Sequence, residues 1–263
     1  MSLSPSIPFN GQAIGVIPAR LASTRFPNKP LALINNVPMI CWTLRSAARA
    51  KALCDVFVAA EDEALAEAVE KHGGKARLVK GDFRSGSDRV AEAVRGMDVP
   101  AVVNIQADEP FIEAETIDRA LGLLEARPEF DATTAVRPMR NADEYLNPNC
   151  VKAILDQSGR CLYFSRAPVP AQRNPVRGQE LPAGFPFYKH IGLYCFRRMA
   201  LTRFAQLPES VLEACEGLEQ LRLLEYGAKI GAIITHQCAP AVDAPEDLLT
   251  LEKHIIEKGL GIS

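Results

Sequence analysis

An α/β fold, doubly wound around a mostly parallel sheet and carrying a smaller antiparallel lobe, is the class this sequence predicts. Two observations point to it. Through the first half, short apolar runs alternate with stretches of helical period, and the joints between them are polar. Beyond about residue 131, strand-like runs follow one another with hairpin signals between them. At 263 residues the chain is long enough to bury a large core.

Residues 1–12 are small, polar or proline and read as a loose tail, leaving 13–263 as a single domain. Ala13 to Ile17 is the first buried strand, followed by a basic loop from Ala19 to Pro30. Pro38 suits the first turn of a helix reaching about Ala50, and Val56–Ala60 is the second strand. Leu65, Ala68, Val69 and His72 share one helical face, and Gly73-Gly74 stop that helix. A strand at Ala76–Val79, a helix after Ser87 and a strand at Ala101–Ile105 continue the alternation, which requires a sheet covered on both faces. The helix Glu115–Arg127 ends this regime. Asp131–Val136, Val151–Leu155 and Cys161–Phe164 then read as strands, with Asp156-Gln157-Ser158-Gly159 as a hairpin turn. The antiparallel lobe occupies about 131–200 and includes a loop rich in proline and glycine from Pro168 to Pro186. A strand at Tyr188–Phe196, helices through Tyr226, a strand at Lys229–Thr235 and a helix opened by Pro245 complete the chain.

Composition excludes several classes. A net charge of -2 gives no basic field, so nucleic acid is not an expected partner. Seven cysteines, an odd number without a C-x-x-C pair, argue against a disulfide framework or thiolate zinc site and fit a reducing cytoplasm. No run approaches the roughly 20 apolar residues of a bilayer span, so membrane insertion is not expected either.

Chemistry concentrates at strand ends. Pro18-Ala19-Arg20-Leu21-Ala22-Ser23-Thr24-Arg25-Phe26-Pro27-Asn28-Lys29 puts cations and hydroxyls just beyond the first strand, where ligands bind in open α/β sheets. Such a loop either cradles phosphates or is simply solvated; the P-loop and dinucleotide fingerprints are absent. Asp108-Glu109 follows the fourth strand, and Asp243 precedes the last helix. Each acid either caps its neighbouring helix or ligates a hard cation such as Mg²⁺, which needs only one or two protein carboxylates. On the strand Tyr188–Phe196 the period of two sets His190 and Tyr194 on one face and Ile191, Leu193 and Cys195 on the other. Leu218, Leu221 and Leu224 form a core stripe beside Glu219 and Gln220.

Together IPARLASTRFPNKPL, SGSDR, VNIQADEP, LYFSRAPVP, KHIGLYCF, LEQLRLLEYG and VDAPEDL, in this order from about Gly15 to Leu251, resemble the 3-deoxy-manno-octulosonate (Kdo) cytidylyltransferase family, the CMP-Kdo synthetases of lipopolysaccharide synthesis. The resemblance implies a nucleotide-diphospho-sugar transferase-like fold, a cytoplasmic homodimer, and CTP and an acidic eight-carbon sugar as substrates, with Mg²⁺. It implies that Pro18, Ala19, Arg20, Ser23, Arg25, Lys29, Ser85, Gly86, Ser87, Arg89 and Gln106 bind CTP, with Arg20 and Lys29 acting in catalysis. Asp108 and Asp243 would hold the metal; Arg166, His190, Tyr194, Glu219 and Gln220 would bind the sugar, with Tyr163 and Ser165 as further candidates. The chain departs from the family at Ala107, where Gly is usual and the added Cβ restricts the backbone, and at Ser87 and Asp88, which replace Thr and Glu.

Overall fold

The computed structural model describes residues 8–21, 26–173, 181, 187–236, 242, 247–248, 251 and 255. In chain order the first half supplies β1 (Ala13–Ala19), β2 (Leu33–Ile34), β3 (Val37–Pro38), α1 (Met39–Ala47), β4 (Leu53–Ala60), α2 (Glu63–Lys71), β5 (Ala76–Leu78), α3 (Gly86–Ala93), β6 (Ala101–Ile105) and α4 (Ala114–Ala126). The second half supplies β7 (Ala132–Pro138), α5 (Ala142–Leu146), β8 (Lys152–Leu155), β9 (Cys161–Ser165), β10 (Tyr188–Arg197), α6 (Arg198–Gln206), α7 (Val211–Glu216), α8 (Gln220–Glu225) and β11 (Ile230–Ile234). Asp247, Leu248, Leu251 and Ile255 are helical as well.

The main sheet runs β11-β7-β10-β6-β1-β4-β5. β1 pairs in parallel with β4 and β6, β4 with β5, and β7 with β11, while β10 runs antiparallel between β6 and β7. Helices cover both faces, so β1 is apolar on both sides: Ile14 and Val16 face one core, Ala13, Ile17 and Ala19 the other. β1 passes through Pro18, two residues further than the sequence suggests; its ladder with β6 stops at Val16, so the strand continues there along β4 alone. The core on one side gathers Trp42, Leu65, Ile117 and Leu121, and the other gathers Val90, Phe204 and Leu221.

The antiparallel part is continuous with the main sheet: the hairpin β8–β9 branches from it where β8 pairs with β10. Gly159 closes that hairpin at φ +82, a conformation that favours glycine. Two elements go beyond the sequence reading. The small hairpin β2–β3 turns through Asn35 and Asn36, both left-handed at φ 51 and 63, which asparagine tolerates better than most residues. The short helix α5 is capped by the Asn141 side chain, which accepts from the Glu144 amide. α1 begins after Pro38 and ends at Ala47, sooner than expected. No described helix is long and apolar enough to cross a membrane.

Candidate active site

Two adjoining cavities open at the carboxyl ends of β1 and β6. The first, about 720 Å³, is lined by Pro18, Ala19, Arg20, Lys29, Arg89 and Ala107, among others. Local backbone chemistry delivers these groups. Asn28 takes a left-handed turn at φ 57 and its amide bonds the Leu21 carbonyl at 3.2 Å, closing the basic loop at its neck. The 3-10 turn Lys29–Leu31 follows, and Lys29 Nζ meets Asp108 Oδ2 at 2.7 Å. Arg89 is buried, donates to the Val79 carbonyl at 2.6 Å and stacks on Phe83. Burial, and beyond it the charge of Arg20, lower its pKa against the opposing pull of Glu61.

The second cavity, about 470 Å³, is lined by Arg166, His190, Tyr194, Glu219 and Gln220. The Arg166 guanidinium donates to the carbonyls of Glu216, Pro148 and Gly217 and has no carboxylate paired with it among the described residues. The Glu216 carboxylate instead accepts from the Arg166 amide and from Ser165 Oγ, fixing the backbone beneath. On β10, Gly192 and Leu193 have no counterpart on β7; two extra residues preserve the alternation, so the His190 and Tyr194 rings stay on one face, 5.1 Å apart. Thr134 Oγ1 donates to the Leu193 carbonyl and lies 2.9 Å from His190 Nε2, which therefore carries the proton of this contact. Burial brings the His190 pKa down to about 3 and pushes the Tyr194 hydroxyl well above its usual range. The Glu219 pKa is raised by burial, against two donors from Ser87, its amide at 3.0 Å and its Oγ at 2.8 Å.

Both cavities share Arg84, Ser85, Gly86, Gln106 and Asp108. The Gln106–Pro110 segment is tethered to α1, where Thr43 Oγ1 donates to the Ala107 carbonyl and Ser46 Oγ to that of Pro110. Gly192 is required by its contact with this segment, since a Cβ there would fall 2.7 Å from Gln106 Cγ. The structure thus brings together eight of the residues paired above with CTP and all five paired with the sugar. Ser87 stands apart, buried against Glu219 and Asn104 and lining neither cavity. Ser23, Arg25 and Asp243 lie outside the described residues, as does most of Pro168–Pro186. Next to Asp243, the Val242 amide donates to the Asp108 carbonyl at 3.2 Å.

Two buried polar residues behind the cavities, lining neither, have no place in the sequence reading. Asn104 is fully buried, and a polar residue inside VVNIQ was the available signal. Arg222, equally buried within the leucine stripe, is gripped by Glu213 and Asp88.

A family model described as cytidylyltransferase matches residues 14–230. A 3-deoxy-manno-octulosonate cytidylyltransferase of Syntrophotalea carbinolica is 42% identical over 242 residues, covering 91% of this chain and 97% of its own. An 8-amino-3,8-dideoxy-manno-octulosonate cytidylyltransferase of Shewanella halifaxensis is 41% identical over 244 residues, covering 91% and 97%. Among solved structures, CMP:2-keto-3-deoxy-manno-octonic acid synthetase complexed with CTP superposes with a TM-score of 0.84 at 34% identity, covering 94% of this chain and 99% of that one. With its cation-lined cavity beside a second, arginine-bearing one, the chain belongs to the cytidylyltransferase family.

Proposed function

We propose that the protein transfers CMP from CTP to the anomeric hydroxyl of 3-deoxy-D-manno-octulosonate, releasing pyrophosphate. The observation that carries this reading is the pair of cavities meeting at Gln106 and Asp108. A nucleotide in the first would present its α-phosphate to a sugar in the second. Arg20 and Lys29 would neutralise the phosphates and the departing pyrophosphate, while Arg166 would hold the sugar's carboxylate. In-line attack then depends mainly on positioning.

Asp108 fits a magnesium site: it is a hard oxygen donor, partly open to solvent, at the junction of the cavities. The bond from the Val242 amide to the Asp108 carbonyl supports Asp243 as the second ligand. Bound Mg²⁺ would offset phosphate charge and favour loss of the sugar hydroxyl proton. Among the described residues no cluster of three or more His, Cys, Asp or Glu offers a metal site of another kind. In the same reading the enzyme is a cytoplasmic homodimer serving lipopolysaccharide synthesis.

Pyrophosphate release with CTP, Mg²⁺ and a panel containing Kdo, its 8-amino analogue and a sialic-type acid tests the proposal. Asp108→Ala is expected to reduce turnover at least about a hundredfold with an unchanged circular dichroism spectrum. Near wild-type turnover in that variant would refute the metal assignment, and release with the amino sugar alone would move the substrate to that analogue.

A further inference from the structure

Lys152 sits where the three strands of the antiparallel lobe meet: on β8 it pairs with Ser165 of β9 on one side and with Lys189 of β10 on the other. It is completely buried, yet it forms no salt bridge among the described residues. Instead its Nζ donates to two backbone carbonyls, that of Asn147 at 2.6 Å and that of Arg166 at 2.9 Å. Enclosing an ammonium without a carboxylate against it is costly, and an apolar side chain of similar length would fill the same space without that cost. Burial accordingly lowers its pKa. Stability alone gives no reason for a charge at this position.

The two carbonyls flank one arginine. Arg166 is the first residue beyond β9, past the last rung of the ladder with β8. Its amide goes to Glu216 Oε2 at 2.9 Å and its carbonyl to Lys152, so side chains do there what the ladder does within the strand. Its guanidinium donates to the Pro148 carbonyl at 3.1 Å, and Pro148 directly follows Asn147. One ammonium therefore ties the backbone that carries the arginine to the turn that receives its fork. Tyr145 extends the anchorage, donating from Oη to the carbonyls of Pro168 and Pro170. Arg166 and Asn149 line the second cavity, whereas Lys152 lies behind them. We propose that Lys152 is a positioning residue for the sugar acid, acting through Arg166: it holds the guanidinium in the pose that meets the substrate's carboxylate, so that little rotamer freedom is lost on binding. The assignment rests on the reading of Arg166 as the group that holds that carboxylate.

Wild type, Lys152→Met, Arg166→Ala and the double variant are compared by kinetics with CTP, Mg²⁺ and Kdo and by calorimetric titration with Kdo. Lys152→Met is expected to raise KM and Kd for the sugar about tenfold, with kcat and KM for CTP almost unchanged. In the Arg166→Ala background the same substitution should add almost nothing, because the arginine it positions is gone. Lys152→Gln, neutral but still a donor, should fall between wild type and Lys152→Met, and it replaces the latter should that variant fail to fold. Losses that multiply in the double variant, a parallel rise in KM for CTP, or a lower melting temperature with wild-type KM for the sugar would overturn the proposal and leave Lys152 a structural residue. The two levels of inference separate on Arg166→Ala: a raised KM there beside wild-type values in Lys152→Met refutes the positioning alone, whereas wild-type KM and Kd in Arg166→Ala refute the reading of Arg166 and the proposal with it.

Discussion

His190 is kept neutral by enclosure rather than by a partner charge. Phe164 and Tyr194 flank its ring, and its pKa lies at about 3, against about 6.5 expected for the unfolded chain. Between these values the unfolded state binds a proton that the folded state refuses, so stability is complete above the upper value and falls as the pH drops towards the lower. Urea denaturation between pH 7 and 4.5 should show that loss in wild type and a flatter dependence in His190→Gln; equal slopes would contradict the assignment. Residue types at the site were readable where they extend a strand in period two, as His190 and Tyr194 do, whereas Asn104, inside the apolar run of β6, was not read. Their partners were not, since Ser87 meets Glu219 across 132 positions and Asp88 meets Arg222 across 134.

Between elements, Arg222 is the principal fastener. From α8 it donates to Glu213 on α7 and Asp88 on α3, and its guanidinium stacks 4.2 Å from the Phe204 ring centroid on α6. Burial opposes its charge, yet the two carboxylates outweigh burial and raise its pKa. Arg222→Met would strip both buried acids of their closest cation, leaving Asp88 with Ser85 and with Arg84 at 3.7 Å, and Glu213 with the Ser210 amide. The expected loss is about 3–5 kcal/mol by chemical denaturation, and a loss below about 1 kcal/mol would mean that the pairs contribute no more than a surface salt bridge. Elements with strong punctuation were legible: Asp62 caps α2 and Gly73 ends it, as the sequence reading had the stop. Short ones were not, because α5 spans five residues and β2 and β3 two each, too few for a period to register.

For the molecule as a whole, alternation in the first half was enough to specify the parallel half of the sheet, whereas the seating of β10 between β6 and β7 had no local signal. That seating brings Gly192 of β10, which lines the second cavity, against Gln106. Since one wall serves both cavities, occupancy of either is expected to change the affinity of the other. Calorimetry with a non-hydrolysable CTP analogue should find that the sugar acid tightens nucleotide binding, and by linkage the nucleotide should tighten sugar binding by the same factor. Independent affinities would show the wall to be rigid. Beneath it lies the chain's single tryptophan: Trp42 Nε1 donates to the Ile34 carbonyl at 2.9 Å and its ring packs edge-on with that of Phe111, centroids 5.5 Å apart, three positions past Asp108. The protein therefore contains its own fluorophore, seated where any ligand-driven shift of the 106–111 segment would alter the emission without an attached dye.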